Sequence, residues 1–437
     1  MKYIYLIFIL ILSSSAWAQQ EFTLHTMDLV FQSAHTNPAT LHRHKASITL
    51  ASSYHINVKN TGFNYNRLAA QVETDETGQK VLDLGKLAEN LKLNGKDYLH
   101  ASASVDLFAL SFRAGKNRFS LNLTEHMQAR MGYSDALLKL AVNGNTPGST
   151  TSLGGYKLNG MHYRELGIGF NRKILAEDKL VVGGRVKTLF GLSNVKTIRT
   201  DVNMHTADES DMYAITATSD ILVRSAGVDM LEDGDLEYLL NTANRGYGID
   251  LGASYQYSNA LSFSASIVNL GYIKWKEGVT NYTSKGEYTF TGIDNNDLFN
   301  GSFSLDQTEL IDSITNIFEF EETSEAYSTS LPTQMYLSGF YKVATNTTAS
   351  ASIYSDFMGG FRKGMALGIT QQAGRWFQAS ATYAMHARSY NNLGLGFVLG
   401  TGGSGLQFYA ITDNVLALAN PGSAKMVNIR TGFNVVF

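Results

Sequence analysis

The chain has no cysteine and only four prolines in 437 residues, and past its first dozen residues no apolar run approaches the 18 that would suggest a membrane helix. Without cysteine there is no disulfide framework, no cysteine-based zinc site, no thiol nucleophile and no lipidated N-terminal cysteine. An excess of one charge is lacking too. The 35 Lys and Arg against 38 Asp and Glu leave a net charge of −3, so no basic face is available for a phosphate backbone and nucleic acid is not expected as a partner. What is abundant is glycine, with 40 residues, and aromatics, with 23 Tyr and 23 Phe. Length alone suggests two or three domains, but all-β barrels exceed that prior as single domains.

Met1-Lys2 precedes the apolar run from Tyr3 to Leu12, followed by Ser13-Ser14-Ser15 and Ala16-Trp17-Ala18. A basic start, a short apolar stretch and an A-x-A site make residues 1–18 a secretory signal peptide, too short to anchor as a membrane helix.

Beyond it, period two dominates, which is the signature of strands. Ile249, Leu251, Ala253, Tyr255 and Tyr257 alternate with Asp250, Gly252, Ser254, Gln256 and Ser258. Phe377, Ala379, Ala381, Tyr383 and Met385 oppose Gln378, Ser380, Thr382 and His386, and Val427, Ile429, Phe433, Val435 and Phe437 oppose Asn428, Arg430, Gly432 and Asn434. A soluble sandwich also alternates. Three features favour lipid instead: the polar faces are mild, the strands are longer than the usual 5 to 6 residues and match the 9 to 11 that cross a bilayer at a tilt, and the chain ends on an aromatic strand. Phe433, Val435 and Phe437 are therefore read as an assembly signal for barrel-assembly machinery. The fold class is all-β, a transmembrane antiparallel β-barrel in the cell outer membrane, in contact with outer-membrane lipid and lipopolysaccharide.

Counting back from Phe437 gives fourteen strands, near 46–58, 98–113, 117–131, 156–173, 179–200, 246–257, 260–275, 332–343, 347–358, 363–372, 375–388, 391–400, 404–413 and 425–437. Such barrels alternate short periplasmic turns with long extracellular loops. The turns at Gly115-Lys116, 175–178, Ser258-Asn259, Thr345-Asn346, Ala373-Gly374 and Thr401-Gly402-Gly403 all fall at one end. The long connections 59–97, 132–155, 201–245 and 276–331 fall at the other. Segment 211–224 is strand-like and reads as an extracellular extension; if it spans, the count becomes sixteen. The barrel thus occupies 46–437. Short helical patterns lie at Leu82–Leu91, Leu236–Leu240 and Leu310–Phe318, the last within an acidic stretch running from Asp294 to Glu325. Those carboxylates are read as a solvated face, with divalent-cation binding weighed against it for want of a compact ligand loop.

Residues 19–45 form an N-terminal segment holding the apolar patch Leu29, Val30, Phe31 and the turn Asn37, Pro38, Ala39. It is either a periplasmic tail or a plug that enters the lumen, the plug because exposed apolar patches are a liability.

Asn37-Pro38-Ala39, Asn143-Gly144-Asn145, Arg245 to Gly252, Asn269 to Trp275, Leu331-Pro332-Thr333 and Asn428 to Asn434 together resemble an outer-membrane barrel family of unknown function found in Bacteroidota. That family is related in architecture to the long-chain fatty-acid transporter and type IX secretion barrels. The resemblance implies an N-terminal luminal segment and an apolar ligand path, and no catalytic residue.

Gly400 to Gly405 satisfies G-x-G-x-x-G but joins two strands, so the dinucleotide context fails and it reads as a hairpin turn. His42 and His44, beside Arg43 and Lys45 and near His35, read as a solvated basic patch at the periplasmic rim rather than a metal site. No G-x-S-x-G or H-E-x-x-H occurs. Catalytic, cofactor and metal residues are therefore expected to be absent, and the chain is read as no enzyme. Its expected role is uptake or passage of an apolar or amphipathic small molecule, a hydrophobic ligand; the alternative is a non-transporting barrel that binds or scaffolds partners in a secretion or envelope complex.

Overall fold

A computed structural model describes residues 21–74, 78–90, 97–211, 213–228, 236–290, 320–357, 362–386 and 389–437. The signal segment and the Leu310–Phe318 pattern lie outside the described residues. Where the sequence alternates, it forms strands. Those that build the barrel are β1 Ala46–Asn60, β2 Asp97–Ala114, β3 Asn117–Tyr133, β4 Lys157–Ile174, β5 Leu180–Thr206, β6 Asn244–Gln256 and β7 Leu261–Trp275. They continue with β8 Gln334–Ala344, β9 Thr347–Asp356, β10 Arg362–Ala373, β11 Phe377–His386, β12 Ser389–Gly400, β13 Gly405–Thr412 and β14 Met426–Val436.

Each pairs antiparallel with its neighbours in this order, and β1 also pairs with β14, from Ser47 opposite Val436 to Lys59 opposite Met426. The sheet therefore closes on itself with fourteen strands. Closure removes every free edge, which is what lets a sheet satisfy its backbone groups without water.

The polarity of the barrel is inverted relative to a soluble protein. Leu50, Ile168, Val186, Leu337, Leu367 and Ile369 point outward and are each more than half exposed, while Asp106, Glu165, Arg185, Lys187, Asp250 and Asn434 point inward and are buried. Burying charge inside an apolar exterior makes no sense in water, where the apolar band is the costly surface. It is the arrangement of a barrel that faces lipid outside and polar groups within.

The short turns lie at one end, at 115–116, 175–179, 257–260, 345–346, 374–376 and 401–404. At the other end the long connections are more ordered than loops. Strand β5 is 27 residues long and projects past the barrel, where Asn194–Thr206 pairs with a strand at Ile215–Ala226, which pairs in turn with Val279–Phe290. The connections 201–245 and 276–331 thus carry a sheet-like ledge, and the strand near 211–224 belongs to it rather than spanning. Helices occur at Leu84–Asn90 and Leu236–Leu240. Tyr238 of the second is buried, with its hydroxyl 2.6 Å from His162 Nδ1 and donating to Ser193 Oγ at 2.8 Å.

The lumen and its candidate functional site

Residues 21–42 lie among inward-facing side chains of the barrel. Phe22–His25 makes one helical turn and Phe31–His35 a short 3-10 turn. Neither is long enough to be stable alone, and packing holds both. Leu24, Met27, Leu29 and Val30 are buried against Val398, Tyr409 and Ile411, and Phe22 packs edge-on to Tyr354 beside Tyr336. Phe31 packs with Ala34 and Ala109. The barrel wall turns apolar on its inner face where these residues land. That is a sequence signal that strict alternation hides: at Phe397-Val398-Leu399 and Phe408-Tyr409 both faces are apolar.

Polar groups of the segment find wall partners as buried groups must. The Thr23 amide donates to Asp413 Oδ1 at 2.8 Å, and Thr23 Oγ1 lies 2.7 Å from Thr382 Oγ1. His25 bridges Thr36 Oγ1 at 2.9 Å and Ser338 Oγ at 3.0 Å while stacking on Tyr336. Burial without any carboxylate beside it pushes the His25 imidazole down to about 4. Gln378 donates to Asp28 Oδ1 at 2.7 Å, and Arg185 donates to the Ala34 carbonyl at 3.1 Å.

The Asn37-Pro38 turn sits where the wall has no side chains. Gly183 of β5 and Gly252 of β6 are directly paired across the sheet. A Cβ on Gly252 would come within 2.1 Å of Asn37 Oδ1, and one on Gly183 within 2.5 Å of the Pro38 carbonyl. Asn37 Oδ1 accepts from the Ala39 amide at 2.8 Å and Asn171 donates to the Pro38 carbonyl at 3.0 Å. Two sequence motifs far apart in the chain, Asn37-Pro38-Ala39 and Arg245 to Gly252, therefore meet here.

His42 and His44 correct the sequence reading: both imidazoles are buried rather than solvated. His42 Nδ1 lies 3.1 Å from the Asp28 carbonyl and His44 Nε2 lies 3.2 Å from Gln407 Nε2, because the chain folds back into the barrel base at this point. Arg43 and Lys45 of this group do reach solvent, Arg43 half exposed and 3.6 Å from Asp28.

Above the segment, toward the long connections, a cavity of about 90 Å³ is lined by Glu21, His35, His55, His126, Glu165, Lys187 and Arg430, with Tyr163, Pro332 and Tyr336 as its less polar walls. Its charges are paired, as burial requires. Glu21 is held by Arg430 and lies 3.7 Å from His55; although burial pushes its carboxyl up, Arg430 and His55 outweigh this and hold it below the usual range. Lys187 reaches Glu165 at 3.1 Å and Asp250 at 3.0 Å, Arg185 reaches Asp250 at 3.4 Å, and His35 reaches Asp106 at 3.3 Å. Asn269 holds a positive φ of 59° at a register shift in β7, which turns its amide onto Asp250 Oδ1 at 2.7 Å and its side chain onto Lys187 at 2.6 Å. Asparagine tolerates this conformation better than most residues. Tyr163 of the cavity wall belongs to a buried apolar cluster with Met161, Leu189, Ile273, Trp275, Tyr327 and Leu331.

The motifs at Asn269, Leu331-Pro332-Thr333 and Asn428 to Asn434 also reach the lumen, whereas Asn143-Gly144-Asn145 lies exposed in the long connection between β3 and β4. Asn434 and Arg430 of the last strand bind Gln32 and Glu21, and Thr333 donates to the Asn269 carbonyl at 3.0 Å. Phe433, Val435 and Phe437 face outward, and the Phe437 backbone pairs with Lys45 and Ala46 of the first strand. Gly400 to Gly405 is a hairpin turn between β12 and β13.

The chain belongs to a family of unknown function, DUF5723, whose sequence profile matches residues 38–413. No curated protein matches it. Among solved structures it is similar to the Ralstonia pickettii toluene transporter TbuX, at 10% identity over 92% of each chain with a TM-score of 0.44. It is similar also to the Pseudomonas putida toluene transporter TodX, at 9% identity over 97% of this chain and 98% of that one, TM-score 0.43. A Pseudomonas aeruginosa FadL homologue aligns at 9% identity over 97% and 99%, TM-score 0.42.

Proposed function

We propose that this chain is an outer-membrane barrel that admits a small amphipathic molecule through a lumen gated by residues 21–42, with the short turns in the periplasm and the long connections outside the cell. The observation that carries the reading is the luminal cavity of about 90 Å³ beside the seated segment, with a buried apolar cluster beginning at its Tyr163 wall. Its charged lining suits a polar head, and the apolar cluster that adjoins it through Tyr163 suits a tail. A cavity of this size is well below the ~300 Å³ of an ordinary small-molecule pocket, so passage of such a molecule requires the segment to move. Leu29, Val30, Phe31, Asn37, Pro38 and Ala39 are then the plug, and Phe433, Val435 and Phe437 the outward face that the assembly machinery reads.

The test is a chain lacking residues 22–40 but keeping the residues before them and the barrel, reconstituted in planar bilayers. Conductance and uptake of an amphipathic dye should rise at least tenfold while the folded band on unheated gels persists. Unchanged passage in a folded deletion would overturn the gated reading and favour a barrel that scaffolds envelope partners, which native mass spectrometry would then show as a stoichiometric protein rather than a small ligand.

A further inference from the structure

At the short-turn end a second cavity, of about 170 Å³, lies between residues Leu41–Arg43 and the ends of β2, β3 and β4, and is lined by Arg43, Arg113, Lys116, Arg118 and Lys173 together with Asn117 and Asn171. Two of these cations are placed against ordinary sheet chemistry. Arg113 and Arg118 are direct cross-strand partners in the β2–β3 pair, on the same face. Like charges directly opposite destabilise a sheet. Arg118 is moreover buried, and its guanidinium donates only to neutral acceptors: Ser111 Oγ at 2.6 Å, the His42 carbonyl at 3.1 Å and the His44 carbonyl. A buried cation ordinarily has an anionic partner. Among the described residues neither Arg113 nor Arg118 has a carboxylate at ion-pair distance; the acids nearby are Asp178, 2.8 Å from Lys116, and Asp28, 3.6 Å from Arg43.

We propose that this cavity is an anion site for a phosphate group, bound between Arg113 and Arg118 with Lys173 and Lys116 around it. A phosphate oxygen pair matches the planar fork of a guanidinium, and a divalent anion turns the repulsion across the β2–β3 pair into attraction to a common centre. The cavity is several times the volume of a water, about 30 Å³, so a tetrahedral oxyanion fits it. The site is built partly from Leu41–Arg43, where the luminal segment leaves the barrel, and Arg118 grips the His42 and His44 carbonyls. An anion here therefore also secures the base of that segment. The inference stands on this charge geometry and not on the transport reading. The phosphate has two possible sources, the head group of a phospholipid and free phosphate in the medium.

The full chain, purified in detergent, is titrated with inorganic phosphate against chloride at matched ionic strength, following thermal stability and calorimetric heat. In parallel it is placed in nanodiscs of phosphatidylglycerol or of an uncharged diacylglycerol mixed with glycolipid, and native mass spectrometry reads lipid retained after detergent exchange. Saturable stabilisation by phosphate assigns free phosphate; retention of one phospholipid with no response to phosphate assigns the head group. The R113Q/K173Q variant changes two side chains at the solvent edge of the cavity and should fold. It should weaken binding at least tenfold in whichever arm the wild type responds, and R118Q should do so further if it assembles. No saturable response in either arm, or binding unaltered in folded R113Q/K173Q, overturns the proposal.

Discussion

Gln32 and Asn434 exchange two side-chain amide hydrogen bonds: Gln32 Nε2 donates to Asn434 Oδ1 at 3.1 Å, and Asn434 Nδ2 donates to Gln32 Oε1 at 3.0 Å. They are 402 positions apart in the chain. One belongs to the luminal segment and the other to the strand that closes the barrel, so the pair ties the plug to the closing seam. Thr49 Oγ1 adds a bond to Asn434 Oδ1 at 2.6 Å from the strand on the other side of that seam.

Breaking this pair should loosen the segment without opening the barrel. Gln32→Ala leaves the buried Asn434 amide short of a partner, which costs about 1–3 kcal/mol. Deuterium exchange over 21–42 should rise while exchange in the strands stays as in the wild type, and a double-mutant cycle with Asn434→Ala should show coupling. Purely additive effects on exchange would mean the two amides act independently.

The glycine notch gives a second handle. Gly252→Leu places a side chain where Asn37 Oδ1 now sits, 2.1 Å from the would-be Cβ. The variant should keep its heat-modifiable mobility, expose residues 21–42 to added protease and raise conductance. A protected segment in Gly252→Leu would show that the turn does not need this notch.

Seating of the segment should depend on pH. Burial pushes His25 down to about 4 and, with Arg118 adding to it, pushes His42 down to about 3. A released segment carries ordinary imidazoles near about 6.5. Between these values the released form binds protons that the seated form refuses, so seating is strongest above about pH 6.5 and weakens as pH falls toward 4. Protease sensitivity of 21–42 should rise from pH 7.5 to pH 5, and His25→Gln with His42→Gln should flatten the profile. A flat profile in the wild type would exclude these imidazoles as the cause.

The outward face can be tested by charge. Leu367 is 63% exposed at the middle of β10, and Leu367→Arg should cost about 2–4 kcal/mol in a bilayer. Gln128→Arg, lining the chamber, should cost less. Urea unfolding in lipid vesicles measures both, and equal losses would contradict the inverted polarity.

The fourteen strands, their facing and the end at which the turns lie were legible in the sequence. Alternation and turn chemistry are properties of a few adjacent residues, and in a meander each strand pairs with its chain neighbour, so local pattern suffices. The ledge from Ile215–Ala226 and Val279–Phe290 was only half legible, since its strands pair across the 50-odd residues between them rather than with the next segment. The inner face was legible as polar and no further. Whether Lys187 meets Asp250, whether Arg118 goes without a carboxylate, and that His42 and His44 turn inward depend on which strands the closed sheet brings together. Only closure places Gly183, Gly252, Val398, Tyr409 and Asn434 around one lumen, because burial there is decided by a ring of fourteen strands and a folded-back segment, and no stretch of sequence contains that ring.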